Sequence, residues 1–246
     1  MTFENKTVLI TGASSGIGKT LAEKLTLKNC RLILCSRNIE RLDLDGEKIL
    51  KLKCDVTKKE EVNAAYNAAI DKFGKIDIAI LNSGVGHRMT VEEYNSQYAE
   101  ETFSVNLLGM VYWIEKLLPD FMKRREGVIA GVSSLADNRG YSGSGFYCAS
   151  KAAATIMLEG LRVELKPYGV KVITIKPGFV RTPMTDKNEF KMPFLMEPVK
   201  AAEIIVKGIE KEKRIIQFPL PTVLMSKFVG ILPAGLYEFL AAKIKT

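Results

Sequence analysis

The chain has 246 residues, of which 47% are hydrophobic and 26% are charged, with a formal net charge of +8. This length suffices for one α/β domain with a sizeable core, and the composition is that of a globular protein rather than a disordered or fibrous one. The positive charges are spread along the sequence without a basic stripe interleaved with aromatic residues, so a nucleic-acid-binding surface is not expected.

The sequence contains no segment that we expect to be a signal or a membrane span. Residues 1–6 are polar, and no apolar run reaches the ~18 residues that a membrane-spanning helix needs. The cysteines lack metal-ligand spacing, so we predict reduced thiols, no metal site and a cytoplasmic location. They are Cys30, Cys35, Cys54 and Cys148.

Short apolar runs alternate with helical segments along the chain. Buried strands that alternate with amphipathic helices predict an α/β fold with a doubly wound parallel sheet of about seven strands and helices on both faces. We expect a single domain over residues 1–246. The predicted strands are 7–11, 31–35, 49–54, 76–81, 127–133, 170–175 and 215–218. The predicted helices are 16–27, 60–73, 99–125, 145–166 and 198–210.

A glycine-rich turn, Thr-Gly-Ala-Ser-Ser-Gly-Ile-Gly, joins the first strand to the first helix. Glycine permits a tight turn and lets main-chain N–H groups approach a pyrophosphate, and the helix N-terminus adds partial positive charge. The turn therefore predicts a phosphate-binding loop for a dinucleotide. The residues expected to form it are Gly12, Ser14, Ser15, Gly16, Ile17 and Gly18.

A tyrosine and a lysine, Tyr147 and Lys151, stand four residues apart in a predicted helix, and Ser134 precedes them. Residues at this spacing share one helix face, so the phenol and the ammonium can meet. A phenol titrates near pH ~10, and a neighbouring cation lowers that pKa. The pair therefore predicts a tyrosine that donates or accepts protons.

These motifs resemble those of the short-chain dehydrogenase/reductase family, and the resemblance runs from about residue 6 to about residue 216. The further motifs follow in the family's order: Asp55-Val56, Asn82-Ser83-Gly84, Asn106, Ser134, Tyr147 with Lys151, and Pro177-Gly178. The resemblance implies a Rossmann-like fold, a nicotinamide cofactor and hydride transfer at a C=O or CH-OH group. The chain departs from the family at Leu81 and Ser83, where the family has asparagine and alanine.

The resemblance also implies the roles of individual residues. Ser134 would donate a hydrogen bond to the substrate oxygen, Tyr147 would protonate it, and Lys151 would lower the pKa of the tyrosine and hold the nicotinamide ribose. Asn106 corresponds to the family's asparagine that holds a water for proton relay. Besides the glycine turn, the implied cofactor-binding residues are Ser36, Arg37, Asp55, Val56, Asn82, Gly84, Tyr147, Lys151, Pro177, Gly178, Val180 and Thr182.

The end of the second predicted strand bears on the choice of cofactor. Folds that prefer NAD place a carboxylate there to bind the ribose 2′-hydroxyl, whereas this chain has Ser36 and Arg37. Serine carries no charge that would repel a phosphate, and arginine offers a planar fork to a 2′-phosphate. We therefore predict NADPH/NADP+ rather than NADH.

The segment 183–198 is expected to form a lid over the substrate, as the corresponding region does in the family. Its apolar side chains suit an adaptable pocket for an apolar ketone or aldehyde, although they could also serve only to pack the lid. They are Met184, Phe190, Met192, Phe194, Leu195 and Met196. The favoured interpretation is an NADPH-dependent carbonyl reductase. The alternatives are an NADP-dependent alcohol or hydroxysteroid-type dehydrogenase in the oxidative direction and a non-catalytic NADP(H)-binding regulator.

The residues 219–246 form an unusual apolar extension with two short predicted helices, 222–232 and 234–245, separated by Pro233. Three interpretations compete: a lid on the pocket, a subunit contact, and a peripheral membrane contact. The first two are favoured, because the segment is short and its flanking cations are few. The resemblance implies a homodimer or homotetramer. The small residues of the helix 145–166 would allow close packing of a second helix; they are Ala149, Ala152, Ala153 and Gly160.

Overall fold

The computed structural model describes residues 1–188 and 190–243. Seven parallel strands form one sheet in the order β3-β2-β1-β4-β5-β6-β7. The strands are β1 (Thr7–Thr11), β2 (Arg31–Ser36), β3 (Ile49–Lys53), β4 (Ile78–Leu81), β5 (Val128–Val132), β6 (Lys171–Pro177) and β7 (Ile215–Phe218). The predicted doubly wound sheet is confirmed. The strand order reverses between β1 and β4, which is where such sheets bind ligands.

Eight α-helices lie within the described residues: α1 (Gly16–Thr26), α2 (Lys59–Phe73), α3 (Ser96–Phe103), α4 (Gly109–Arg124), α5 (Gly145–Glu164), α6 (Pro198–Glu210), α7 (Leu220–Ile231) and α8 (Ala234–Ala241). None of the helices described has the length and the apolar character that crossing a membrane would require. The stretch between β2 and β3 contains a single 3₁₀ turn, Ile39–Arg41.

The core has two parts, one on each face of the sheet. Alternate residues of β1 point to opposite faces, so Ile10 packs with α1 and α6 whereas Leu9 packs with α2, α4 and α5. Trp113 of α4 is completely buried in the second part. Both faces of the sheet are therefore covered, which explains why its strands read as apolar runs rather than as an alternating pattern.

The predicted helix 99–125 is interrupted in the structure. A π-helical turn, Ser104–Leu108, separates α3 from α4. The interruption has local causes: the buried Asn106 is bonded to the main chain of Val85, and a Cβ on Gly109 would lie 2.7 Å from Cγ2 of Val56. Such turns often occur at functional sites, and this one lies next to the predicted cofactor segment.

The two tail helices, α7 and α8, meet at Pro233 as predicted; residues 244 and 245 of the second predicted helix lie outside the described residues. α7 buries the polar side chains of Thr222 and Ser226 against the body. Val223 is buried beside them, whereas four other apolar residues of α7 are exposed at a spacing of three or four and form one stripe. They are Leu220, Leu224, Phe228 and Ile231.

The loop between β5 and α5 holds the tail against the body. The guanidinium of Arg139 donates to the carbonyl oxygens of Val229, Gly230 and Leu232, at the C-terminal end of α7. This end of a helix carries partial negative charge and unpaired carbonyls, so the half-buried arginine stabilises it. The same guanidinium lies 5.1 Å from the ring centre of Tyr237 in α8.

We expect Arg139→Ala to loosen the tail without unfolding the sheet. The variant loses charge-assisted hydrogen bonds of about 1.5–3 kcal/mol, which corresponds to roughly a 10- to 100-fold increase in local opening. Amide hydrogen exchange, resolved by segment, should therefore accelerate in residues 220–241 and stay unchanged in β1 and β4. Arg31→Ala serves as the control, because Arg31 bonds only the carbonyl of Asn5 at the other end of the sheet. Unaltered exchange in the tail would contradict this account.

Candidate active site

The predicted motifs follow neighbouring strands and therefore meet at one edge of the sheet. The glycine turn follows β1, Asn82 follows β4, Ser134 follows β5, and Gly178 follows β6. Because these strands are parallel and adjacent, their carboxyl ends lie side by side. The structure thus brings together residues that are more than a hundred positions apart in the chain.

Close contacts and backbone conformation explain why glycine occupies three positions of the turn. Gly12 and Gly16 have φ values of 66° and 52°, a backbone conformation that favours glycine. A Cβ on Gly18 would lie 2.2 Å from the carbonyl oxygen of Gly12, which no side chain could tolerate. Helix α1 begins after Ser15 without a side-chain cap, so its first N–H groups stay free to bind an anion.

Thr11 joins the glycine turn to the segment after β4. Its hydroxyl oxygen accepts hydrogen bonds from the main-chain N–H groups of Asn82 and Ser83, at 3.0 and 3.1 Å. The side chain of Asn82 donates to the carbonyl oxygen of Thr11 at 3.1 Å. Thr11 belongs to the glycine-rich motif but was not among the predicted site residues. The substitution at Ser83 leaves this contact intact.

The residues predicted at the adenosine end lie on the neighbouring loops. The buried Ser36 donates to the hydroxyl of Ser14 at 2.6 Å, and Arg37 beside it is exposed. The carboxylate of Asp55 accepts from the N–H and the hydroxyl of Thr57. Val56 packs beside Gly109. These side chains therefore line one route along the edge of the sheet from the glycine turn.

Ser134, Tyr147 and Lys151 lie together at the end of β5. The buried ammonium of Lys151 donates to the carbonyl oxygen of Val132 at 2.9 Å and lies 5.8 Å from the ring centre of Tyr147. A Cβ on Gly84 would lie 3.4 Å from that ammonium. Tyr147 is half-buried, and its phenol lies beside the hydroxyl of Ser134.

Burial governs the protonation of the two groups. It lowers the pKa of Lys151 to about 8. It also raises the pKa of Tyr147 above its ordinary value, and the neighbouring Ser134 acts in the opposite direction. The sequence predicted that Lys151 lowers the pKa of Tyr147; in this arrangement burial dominates, because the ammonium is turned toward Val132. Tyr147 therefore keeps its proton at neutral pH.

The side chain of Asn106 is fully bonded to protein groups on its donor side. Its amide nitrogen donates to the carbonyl oxygen of Val85 and the hydroxyl of Ser150, both at 2.9 Å, and its oxygen accepts from the N–H of Val85 at 2.8 Å. Asn106 thus fixes the segment after Gly84 against α5. Both side-chain amide hydrogens are committed to these contacts, so the amide does not have a further donor for a relay water.

The segment after β6 closes over the glycine turn. The N–H of Gly178 donates to the carbonyl oxygen of Phe218, and Val180 is buried. A Cβ on Gly16 would lie 2.9 Å from Cγ2 of Thr182. From the predicted lid, Met184 approaches Gly86, whose added Cβ would also lie 3.3 Å from the ring of Tyr147. Glu189 of this predicted lid lies outside the described residues.

Comparison with known proteins shows the family of the chain. The family model described as short chain dehydrogenase matches residues 6–192. The chain belongs to the short-chain dehydrogenase family. It is 32% identical to an uncharacterized oxidoreductase of Myxococcus xanthus over 98% of both chains. It is 34% identical to an uncharacterized oxidoreductase of Listeria monocytogenes, over 76% of this chain and 81% of the relative.

Solved structures of the short-chain dehydrogenase family have the same fold. A 3-ketoacyl-(acyl-carrier-protein) reductase from Brucella melitensis, solved with NADH, is 26% identical and superposes with a TM-score of 0.83 over 90% of this chain and 100% of that one. A short-chain dehydrogenase from Sphingobium yanoikuyae, solved with NADPH, is 25% identical with a TM-score of 0.80, over 98% and 97% of the two chains. The resemblance noted from the sequence is confirmed.

The residues at this short-chain dehydrogenase site fit a dinucleotide on structural grounds. The positions of Gly12, Gly16 and Gly18 leave no room for side chains, and the uncapped start of α1 presents N–H groups to a phosphate. Within the described residues, no group of three His, Cys, Asp or Glu side chains is arranged to hold a metal ion. The four cysteines are buried free thiols.

Proposed function

We propose that this oxidoreductase is an NADPH-dependent carbonyl reductase that acts on an apolar ketone or aldehyde. The observation that carries the proposal is the convergence of Ser134, Tyr147 and Lys151 beside the glycine turn. The residues proposed to hold the cofactor are those predicted from the sequence, from Gly12 to Thr182. Its structural neighbours, solved with NADH or NADPH, support a nicotinamide cofactor.

The proposed chemistry follows from the charge that develops on the substrate oxygen. When bound, NADPH supplies the hydride that adds to the carbonyl carbon. The hydroxyl of Ser134 donates a hydrogen bond to the oxygen, which stabilises the negative charge in the transition state. Tyr147 then gives its phenolic proton to the oxygen as general acid, and Lys151 orients the site through its bond to Val132.

The protonation of Tyr147 suits the reductive step at neutral pH. A general acid must carry its proton at the start of the reaction, and burial raises the pKa of Tyr147. In the oxidative direction the phenolate would act as base, at a higher pH, and the ratio of reduced to oxidised cofactor sets the direction in which the site works.

We expect Tyr147→Phe to abolish most of the turnover while cofactor binding persists, because the ring remains but the acidic proton is lost. A drop of roughly 100-fold or more in kcat is the magnitude typical of a lost general acid. Steady-state kinetics with a panel of apolar ketones and aldehydes measures it, and nicotinamide fluorescence measures binding. Tyr141→Phe is the matched control, since Tyr141 is a nearby half-buried tyrosine. Undiminished turnover would instead favour a site in which Tyr147 has no chemical role.

The preference for NADPH is proposed from the loop after β2. Arg37 is exposed, and no ion pair engages it among the described residues. The neighbouring Ser36 brings no negative charge to this position. A 2′-phosphate would therefore meet a free guanidinium and no repelling carboxylate.

We expect Arg37→Ala to weaken NADPH binding by roughly 10- to 100-fold and to leave NADH binding unchanged, because only the former carries the phosphate. Titration of nicotinamide fluorescence with both cofactors measures the effect. Arg41→Ala is the control, since Arg41 is an exposed arginine in the same loop. Tighter binding of NADH than of NADPH by the unaltered protein would show that this loop does not select the phosphate.

The substrate class is proposed from the apolar residues of the segment 183–198. This segment is proposed as a lid within a single domain of residues 1–246, and its Met184 lies near Gly86, as does the ring of Tyr147. Phe190 packs edge to face on Phe179 at 5.8 Å, which anchors the lid to the segment after β6. Apolar, adaptable side chains beside a proton donor suit an apolar carbonyl compound.

Two surfaces outside the site are proposed to bind partners. Ile156 and Val163 of α5 are 70% and 72% exposed beside Gly160, which suits the homodimer or homotetramer predicted for this helix. The tail extension turns its apolar stripe outward, which favours a contact with a partner over an inward-facing lid. We propose that it contacts a lipid surface peripherally. Lys227 is the only charged residue of α7, so a second copy of α7 packed against it would bring no acidic partner for that lysine. Anionic lipid headgroups would provide one.

We expect the double variant Leu224→Ser/Phe228→Ser to lose membrane binding, because the two side chains are 58% and 61% exposed on the stripe. The measurement is co-flotation with vesicles of phosphatidylcholine, with and without phosphatidylglycerol. The unaltered protein should float, more so with the anionic lipid. Leu27→Ser is the control, since Leu27 is 83% exposed elsewhere. Failure of the unaltered protein to float, or loss of an oligomer without any vesicle binding, would overturn the proposed lipid contact.

A further inference from the structure

A buried ion pair lies behind the candidate active site. Asp137, on the loop after β5, is 2% exposed, and its carboxylate lies 2.8 Å from the ammonium of Lys176 in β6. Buried charges are costly unless they are paired, and the loss of one partner leaves the other uncompensated. Such a pair therefore holds its two elements, the loop and the strand, at a fixed separation.

A chain of hydroxyl groups leads from this pair to α5. The hydroxyl of Thr155 donates to the carboxylate of Asp137 at 2.5 Å. The hydroxyls of Thr155 and Ser133 lie 2.7 Å apart, and that of Ser133 donates to the carbonyl oxygen of Lys151 at 2.9 Å. The carboxylate thus fixes the direction of the chain: the Thr155 proton points to Asp137, and the Ser133 proton is shared between Thr155 and Lys151.

The chain ends on the backbone of both proposed catalytic elements. Ser133 directly precedes Ser134, and the carbonyl that it binds belongs to Lys151 itself. Tyr147 lies one turn before Lys151 on the same helix, so the position of α5 relative to β5 sets the distance between the phenol and Ser134. Small displacements at such a point change rates strongly, because catalysis depends on the alignment of the reacting groups.

We infer that Asp137 is a positioning residue for the reaction, which acts through Thr155 and Ser133 to hold Ser134 and Lys151 at the distance that proton transfer requires. The inference rests on the proposed function of Tyr147 as general acid. Nothing in the chain's spacing marks Asp137, since it comes to Thr155 and Lys176 only when the sheet and α5 are packed.

The decisive variant is Thr155→Val, which keeps the shape of the side chain and removes both hydrogen bonds. We expect kcat to fall roughly 10-fold or more, while the KM and Kd for NADPH change much less, because the glycine turn and Arg37, which are proposed to hold its phosphates, lie after other strands. Thr155→Ser is the matched control: it keeps the hydroxyl and should restore kcat to within about twofold of the unaltered protein. If Thr155→Val acted only by lowering the stability of the protein, the serine variant would not restore kcat selectively.

A double-mutant cycle assigns the effect to Asp137. Asp137→Asn combined with Thr155→Val should lower kcat by no more than the larger of the two single changes, since both interrupt one chain. Additive losses would overturn the role of Asp137. If Asp137→Asn does not fold, Ser133→Ala replaces it in the cycle, because it removes the last link. Full activity of Thr155→Val beside an inactive Tyr147→Phe would overturn the inference alone, whereas an active Tyr147→Phe would overturn the proposed function.

Discussion

The burial of the Lys151 ammonium is the constraint on which the rest of the site depends. A cation that is 3% exposed requires a partner, and this one has a main-chain carbonyl, that of Val132, rather than a carboxylate. The carbonyl is at the end of a strand, so the ammonium is fixed relative to the sheet itself. Gly84 lies beside the ammonium, where an added Cβ would make ordinary van der Waals contact with it at 3.4 Å.

Close packing also determines the structure of the glycine turn and of the segment after β4. The glycine turn is folded so tightly that Gly18 meets the carbonyl of Gly12, and Thr11 ties this turn to the segment after β4. Asn106 in turn fixes that segment to α5. The glycine turn, the segment after β4 and α5 are therefore one connected structure, held together by polar side chains that bind the backbone.

The sequence predicted the strands, the order of the motifs and their meeting at one edge, because these depend on local periodicity and on the geometry of parallel sheets. It did not predict the π-helical turn at Ser104–Leu108, since that depends on the contact of Asn106 with Val85 from a distant segment. The pKa of Tyr147 was predicted in the wrong direction for a related reason: spacing shows which groups are neighbours, but burial is a property of the packed molecule.

The loop after β5 connects the apolar tail to the candidate active site, which the tail itself does not line. On one side, Asp137 ties this loop to β6 and α5. On the other, Asn138 donates to the hydroxyl of Ser226, and Arg139 binds the last carbonyls of α7. Ser134 begins this loop, so the body and the tail both restrain it. Anything that binds the outer stripe of α7 acts on a helix whose inner face is bonded to the loop that presents Ser134, which gives the tail a physical connection to the chemistry.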